Sequence, residues 1–140
     1  MIKISKKSQY GLRAMVFLAK NYNLADGLQT QAGKRRVFSV KIISEKEGIP
    51  FDFLEKIISQ LEREKLVKGK KGVQGGYFLA KTPIKISLAD IVSSLEGKTS
   101  LVDCNLCGRS KKCISKNVWI KIENSLNKTL RAIKLKDLIK

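Results

Sequence analysis

The clearest pattern in the chain is a helical repeat of apolar residues between residues 51 and 64. A shorter segment that opens at Ser39 and stops at Gly48 precedes it. Two short helices joined by a tight glycine turn predict a helix-turn-helix. In the second helix, residues spaced by three or four predict one buried face: Phe51, Leu54, Ile57, Ile58 and Leu61.

Two β-favouring segments, residues 66–70 and 77–79, follow directly and enclose a glycine-rich turn. This pattern predicts a β-hairpin. A basic hairpin after the second helix of a helix-turn-helix is the layout of a winged helix. In that arrangement the helix enters the major groove of DNA, and the wing presents lysines to phosphates or the minor groove: Lys68, Lys70 and Lys71. A solvated hairpin with exposed lysines is the alternative.

Three further helices are predicted around this unit. Ser5 caps a helix over residues 6–22, and Ser87 caps one over residues 88–96. From Val118 to Ile133, apolar residues recur every three or four positions and predict an amphipathic helix of roughly 17 residues. Such a helix near the chain end is difficult to bury in a small domain. We therefore expect it to join two copies of the chain, because a dimer suits a protein that binds two DNA half-sites. Packing of this helix on its own domain is the alternative.

Together these elements predict a fold that is mainly α with a small β-hairpin wing: a winged helix-turn-helix plus a long C-terminal dimerisation helix. Residues 1–97 form the expected winged-helix DNA-binding domain. Residues 98–114 form a cysteine cluster loop, and residues 115–140 form the dimerisation helix and C-terminal tail. With 140 residues, the chain is long enough to bury a core without disulfides.

The formal net charge of +17 at pH 7 favours a polyanionic partner. The charge is mostly lysine and is spread over both halves of the chain, so by itself it is only suggestive. No apolar run of about 18 residues predicts a membrane-spanning helix, and the N-terminus lacks the apolar region of a signal peptide. We expect a cytoplasmic protein with reduced thiols and no membrane partner.

All three cysteines lie in the segment CNLCGRSKKC, residues 104–113, and the chain contains no histidine. Cys104 and Cys107 form a C-x-x-C pair, and Cys113 follows. In a reducing compartment, clustered cysteines predict metal binding or redox sensing. Thiolates are the preferred ligands of iron–sulfur clusters, which accept a non-cysteine ligand at one iron.

Two other readings of the cysteines stay open. Zinc would be held by the three thiolates together with Asp103, which adjoins Cys104. A metal-free thiol switch would be favoured by the cations Arg109, Lys111 and Lys112, which promote the thiolate form and its oxidation. An enzyme is not predicted, because the chain shows no histidine base, no catalytic carboxylate pair and no phosphate-cradling loop.

Taken in order, these segments resemble the Rrf2 family of bacterial transcription regulators, of the IscR and NsrR type. The resemblance covers nearly the whole chain and rests on the motifs KISKKSQYGLRAM, GIPFDFLEKIISQLEREKLV, GKKGVQGGYFLAK and ISLADIVSSLEG, and on the cysteine loop with the NVW that follows it. It implies a homodimer that binds palindromic operator DNA, with repression as the expected outcome.

The resemblance also implies roles for individual residues. Asp52, Glu55 and Lys56 fall at the family's base-reading positions, with Ser59 on the same helix face, and Lys71 falls where wing residues reach the minor groove. The three cysteines would ligate a 2Fe–2S or 4Fe–4S cluster whose presence or damage alters operator affinity.

The fourth cluster ligand departs from the family pattern. Relatives use a histidine three residues past the third cysteine, where this chain has Lys116, or a carboxylate near the N-terminus of the partner subunit. Gln9, beside Ser8, stands at that second place. The candidates for the fourth ligand are therefore Gln9, Ser8 and Asp103, and zinc or no metal remains the alternative to a cluster.

Overall fold

The structure, a computed structural model, describes residues 3–22, 36–97, 101–102, 108 and 111–139. It confirms the expected class, mainly α with a single β-hairpin in the described part of the chain. Short 3-10 turns lie at Pro83–Lys85 and Leu135–Leu138. The helices and strands are α1 (Lys6–Lys20), α2 (Val40–Glu47), α3 (Phe51–Arg63), β1 (Val67–Lys70), β2 (Gly76–Leu79), α4 (Leu88–Glu96) and α5 (Ile114–Ala132).

Serine caps fix the starts of three helices. The hydroxyls of Ser5, Ser39 and Ser87 each accept a hydrogen bond from the backbone amide three residues on, which satisfies a donor that the first turn leaves unpaired. The end of α1 falls at Lys20, two residues before the predicted end. The start of α5 falls at Ile114, four residues before Val118, because the apolar repeat marks only part of that helix.

The wing is an antiparallel pair in which Val67 lies opposite Leu79 and Lys70 opposite Gly76. Phe38 adds a third, one-residue strand, because its amide and carbonyl both bond to the backbone of Tyr77, at 3.0 and 2.7 Å. A Cβ on Gly76 would lie 2.5 Å from the carbonyl carbon of Phe38, so only glycine fits there. The sequence did not predict this bridge, since one residue carries no alternation.

The core lies where α1, α3 and α4 meet, and the wing and α2 close it. An added Cβ on Gly11 of α1 would lie 2.2 Å from a Leu95 methyl on α4, so these two helices touch closely. Ten core side chains have no measurable exposure, and they come from α1, α2, α3, β1, α4 and the segment before α4: Ala14, Met15, Ile43, Leu54, Ile57, Ile58, Leu61, Val67, Ile86 and Ile91.

The C-terminal tail returns to this core. Leu135 is 1% exposed, its amide donates to the Ile86 carbonyl at 2.8 Å, and the Leu88 amide donates to the Ile133 carbonyl at 2.8 Å. The predicted three-part division of the chain stays a prediction. The structure adds that the last residues pack against the winged-helix unit, although they lie beyond α5 in sequence.

In contrast, α5 has no buried residue along its whole length, all of which the structure describes. None of the helices among the described residues is long and apolar enough to span a membrane. One group of α5 side chains combines large apolar size with exposure of more than a third of its surface: Ile114, Val118, Trp119, Ile120, Ile122 and Leu126.

Candidate DNA-binding surface and cysteine site

The outer face of α3 carries the four predicted DNA-binding residues of this helix. Its inner face is fully buried through Leu54, Ile57, Ile58 and Leu61, which fixes the rotation of the helix about its axis. Phe51, predicted on the same face, is instead 45% exposed, because it is the first residue of the helix and lies at the edge of the core. This burial leaves a continuous exposed row of two carboxylates, one ammonium and one hydroxyl: Asp52, Glu55, Lys56 and Ser59. The structure therefore brings all four together on one surface.

An open groove of about 800 Å³ runs along this row between α3 and the start of α1. Lys7 from α1 and Arg63 from the last turn of α3 line it beside the predicted residues. The helical spacing of α3 already placed Arg63 on the face of the row, whereas nothing in the sequence placed Lys7 there. Lys7 could not be placed without the packing of α1 on α3, whereas Arg63 follows Ser59 by one helical turn.

The predicted wing lysines are all exposed. Lys68 and Lys70 are two residues apart on β1, so their side chains leave the same face of the hairpin. Lys71 begins the turn that follows. Between Lys65 and Lys81 the chain contains no acidic residue, so the wing presents only positive charge to an approaching polyanion.

Tyr77 lies where the wing meets α3. Its ring and the Glu62 carboxylate both lie against Gly69 of β1. Burial, together with the charges of Glu62 and Glu55, raises the pKa of Tyr77 above its ordinary value of 10.0. Together with the Phe38 bridge, this packing places the wing beside α3. The sequence alone assigned no role to Tyr77, although the aromatic residue after the glycine pair was part of the family motif.

Cys113 is the N-cap of α5 and the only one of the three cysteines within the described residues. It is half-buried and forms no disulfide. Lys111 and Lys112 directly precede it in the chain and are exposed, and Lys116 follows in the first turn of α5.

The remaining cysteine-site residues, Asp103, Cys104 and Cys107, lie outside the described residues. Within the part of the chain that is described, no three cysteine, aspartate or glutamate side chains come together as a metal site. The assignment of the ligands therefore stays a prediction, with Cys113 as its one placed member.

Of the two predicted ligand candidates on α1, Ser8 is engaged within its own subunit. It is 2% exposed, and its hydroxyl donates to Glu96 Oε1 at 2.7 Å; the Ser5 amide donates to the same oxygen at 3.1 Å. These hydrogen bonds, first from the Ser5 hydroxyl and then from Ser8, lower the pKa of Glu96. Gln9 is exposed, with its amide nitrogen bonded to the Ile4 carbonyl at 2.8 Å, so a group from outside can approach it.

An exposed polar row on the second helix of a helix-turn-helix, beside a cationic wing, defines a winged-helix DNA-binding protein. Residues 4–140 match the model of one family, described as "Rrf2: Iron-dependent Transcriptional regulator". The chain belongs to the Rrf2 family of transcription regulators, as its motifs indicated, and this family consists of regulators rather than enzymes.

Individual relatives extend over nearly the whole chain. The regulator CymR of Bacillus subtilis is 31% identical over 137 residues, which cover 98% of this chain and 89% of CymR. Its crystal structure, described as that of the global cysteine regulator, superposes with a TM-score of 0.79 over 99% of this chain and 96% of that one. The structure of IscR from T. potens superposes with a TM-score of 0.75 at 32% identity, over 98% of this chain and 85% of that one.

Proposed function

We propose that this transcription regulator acts as a homodimer whose affinity for operator DNA is set by an iron–sulfur cluster at Cys104, Cys107 and Cys113. The observation that carries the proposal is the position of Cys113 as the N-cap of α5. The exposed apolar face of α5 begins at the next residue, so a ligand residue and the proposed subunit interface are adjacent in one helix. The protein acts in the cytoplasm, most simply as a repressor.

The DNA contacts follow from the chemistry of the two exposed surfaces. Asp52 and Glu55 accept hydrogen bonds from the N4 amino group of cytosine, and they repel phosphates when that partner is missing. Lys56 and Ser59 bond to acceptors on base edges or phosphates. Lys68, Lys70 and Lys71 neutralise phosphates beside the wing and supply affinity that depends on salt more than on sequence.

Two wings and two copies of α3 in a dimer would read two half-sites related by a two-fold axis. The α5 face supports this arrangement, because five large apolar side chains on one side of the helix, all of the exposed group except Ile120, are left uncovered within the described part of the chain. Burying them against a second α5 removes them from water.

A cluster would supply a centre that oxidants, nitric oxide or iron shortage damage, with three cysteine thiolates as its ligands. The chain's own residues would carry the consequence: Cys113 stands directly before the first turn of α5, and the other end of α5 is tied to the winged-helix unit through Ile133 and Leu135. A change at Cys113 would therefore tilt α5 relative to the winged-helix unit, which contains α3. The family description as iron-dependent regulators supports this proposal.

An absorbance spectrum of protein purified without oxygen, with iron and sulfide assays, tests the cluster. We expect broad absorbance in the visible region, acid-labile sulfide, and loss of both in Cys113→Ser. A colourless protein that holds zinc would overturn the proposal in favour of a zinc-stabilised regulator. Ser115→Ala, two residues away on the exposed part of α5, is the matched control and should keep the spectrum of the wild type.

A thiol-switch regulator without metal is the second candidate. It is favoured by the relative CymR of Staphylococcus aureus, whose structure was solved in an oxidised form and superposes with a TM-score of 0.74 at 28% identity. If this candidate holds, the protein will contain neither metal nor sulfide, and its operator affinity will respond to oxidation of Cys104, Cys107 or Cys113.

The two kinds of DNA contact are separated by a pair of variants. Lys71→Ala should weaken binding to all duplexes and reduce the salt dependence of the affinity, by about one unit of slope. Glu55→Ala should instead relax the preference for one base pair, with a smaller loss on unrelated sequences. A uniform loss from both variants would contradict the assigned roles.

A further inference from the structure

The tip of the wing carries an apolar side chain, Val73, that contacts nothing in the fold. It is fully exposed, with a relative exposure of 107%, more than any other large apolar side chain among the described residues. Ile114 follows at 88%, and the others lie at 55% or below. Val73 therefore contributes nothing to the core, and its exposure to water is unfavourable for an isolated protein.

The backbone around Val73 forms a hydrogen-bonded turn. The Gly75 amide donates to the Gly72 carbonyl at 2.9 Å, which closes a β-turn with Val73 and Gln74 at its two central positions. A Cβ on Gly75 would lie 2.2 Å from the Lys70 carbonyl oxygen, so the turn folds tightly back onto the end of β1. The valine side chain points outward from this turn into solvent.

Valine is an unexpected residue for that position. Central turn positions favour Pro, Asn, Asp, Ser and Gly, each for a backbone reason, and β-branched apolar residues offer no such advantage. A residue that breaks a local rule without a structural gain suggests a role outside the fold.

The surroundings of Val73 indicate the chemistry of its partner. Lys68, Lys70 and Lys71 are exposed on the same hairpin, and the segment from Lys65 to Lys81 has no acidic residue. An apolar side chain flanked by lysines is complementary to a polyanion that has an apolar recess. The minor groove of DNA has this form, with phosphates at its rims and base edges and sugars within.

We propose that Val73 is a specificity-determining contact that favours A·T over G·C pairs where the wing enters the minor groove. The physical reason is the 2-amino group of guanine, which projects into the groove and which an A·T pair lacks. An apolar side chain cannot hydrogen-bond to that group and strips it of water, which costs free energy. The inference rests on the proposed operator binding and extends it to a residue and a base preference.

The test uses duplexes chosen by the protein itself. An operator is selected from a random 30-base-pair library, footprinting locates the base pairs under the wing, and three versions of that operator are made. The versions carry A·T, G·C or inosine·C at those pairs; inosine is guanine without the 2-amino group. Affinities of wild type, Val73→Ser and the control Ile84→Ser are measured at one salt concentration.

Wild type should bind the G·C version roughly fivefold to tenfold more weakly than the A·T version, and inosine should restore most of the loss. Val73→Ser should bind all three versions with affinities within about twofold of one another. Ile84→Ser changes an exposed isoleucine in the Pro83–Lys85 turn and should behave as wild type. The thermal unfolding of Val73→Ser should match that of wild type, because the side chain has no packing partner.

Unchanged discrimination in Val73→Ser, or a G·C penalty that inosine does not relieve, would overturn the inference. Operator binding would then still be intact, so the proposed function would survive. If the library yields no preferred sequence, or footprinting finds no protection under the wing, the proposed sequence-specific operator binding is contradicted. The inference about Val73, which rests on it, is then contradicted as well.

Discussion

The winged-helix head, which comprises α1 to α4 and the wing, buries its apolar residues, whereas α5 leaves its apolar residues exposed. In the head, residues from α1, α2, α3, the wing and α4 fill one core in which ten side chains have no measurable exposure. In α5, a helix of 19 residues, none is buried. Both regions have apolar residues at helical spacing, so the sequence pattern alone does not distinguish them.

The two regions are therefore stabilised by different contacts. The head completes its core within one chain, and even the tail beyond α5 contributes Leu135 to it. The apolar face of α5 is not buried within the described residues, so in the proposed dimer its stabilisation would depend on a second copy and therefore on protein concentration. Changes in the two regions should accordingly be visible in different measurements.

The largest effect is expected inside the head. Leu54→Ala removes a fully buried side chain from the inner face of α3 and should lower the free energy of unfolding by about 2–5 kcal/mol. Chemical denaturation at two protein concentrations would show the same loss at both. Leu138→Ala, at a side chain that is 39% exposed, is the control and should cost much less. Similar losses from the two variants would break the distinction between core and surface.

The next effect is expected on α5. Trp119→Ala should weaken the proposed dimer by about 2 kcal/mol, which is roughly thirtyfold in its dissociation constant, because aromatic residues dominate such interfaces. Sedimentation equilibrium measures this constant directly. Lys121→Ala on the same helix is the control. A dissociation constant that Trp119→Ala leaves unchanged would show that α5 does not join the copies.

A smaller effect is expected where the wing joins the head. Gly76→Ala would force a Cβ against the Phe38 backbone and should destabilise the fold by about 1–3 kcal/mol. The Phe38 backbone cannot move aside as a side chain can. Gly108→Ala should be nearly neutral by comparison, because no atom of the described residues lies within 4 Å of the added Cβ. Thermal unfolding monitored by circular dichroism separates the two, and equal melting temperatures would contradict the close approach.

The smallest effect, on the order of 1 kcal/mol, is expected at the junction of α1 and α4. Glu96→Gln should weaken the hydrogen bonds from Ser5 and Ser8. Since the pKa of Glu96 is lowered from 4.5 in the folded state, its stabilisation is present above that pH and is lost as the pH falls through the folded value. The variant should therefore lose less stability than wild type on acidification. Parallel pH profiles for the two proteins would rule out this role.

The sequence was sufficient for elements that bury one face locally. The inner face of α3, the caps at Ser5 and Ser87, and the wing hairpin all leave a periodic or positional signal, and the structure confirms them. It was not sufficient for contacts between distant segments. The Phe38 bridge to Tyr77 and the insertion of Leu135 into the core involve single residues whose partners only the folded chain brings near.

The residues of the candidate site likewise divide into those that the sequence could predict and those that it could not. The row from Asp52 to Ser59 follows from helical spacing, so it could be predicted, and the structure confirms its exposure while its base contacts stay a prediction. Lys7 could not be found, because it reaches the α3 groove only through the packing of α1. The engagement of Ser8 with Glu96, 88 residues away, was likewise invisible in the sequence and favours Gln9 as the α1 ligand candidate.

The control of operator affinity at the cysteine loop is tested most directly by one comparison at fixed salt. Fluorescence anisotropy, carried out without oxygen, would give the affinity of the same protein for its selected operator before and after removal of iron and sulfide. If the cluster controls DNA binding, the two affinities should differ on the order of tenfold, and Cys113→Ser should show no difference. Equal affinities for the wild-type protein in the two states would contradict that control.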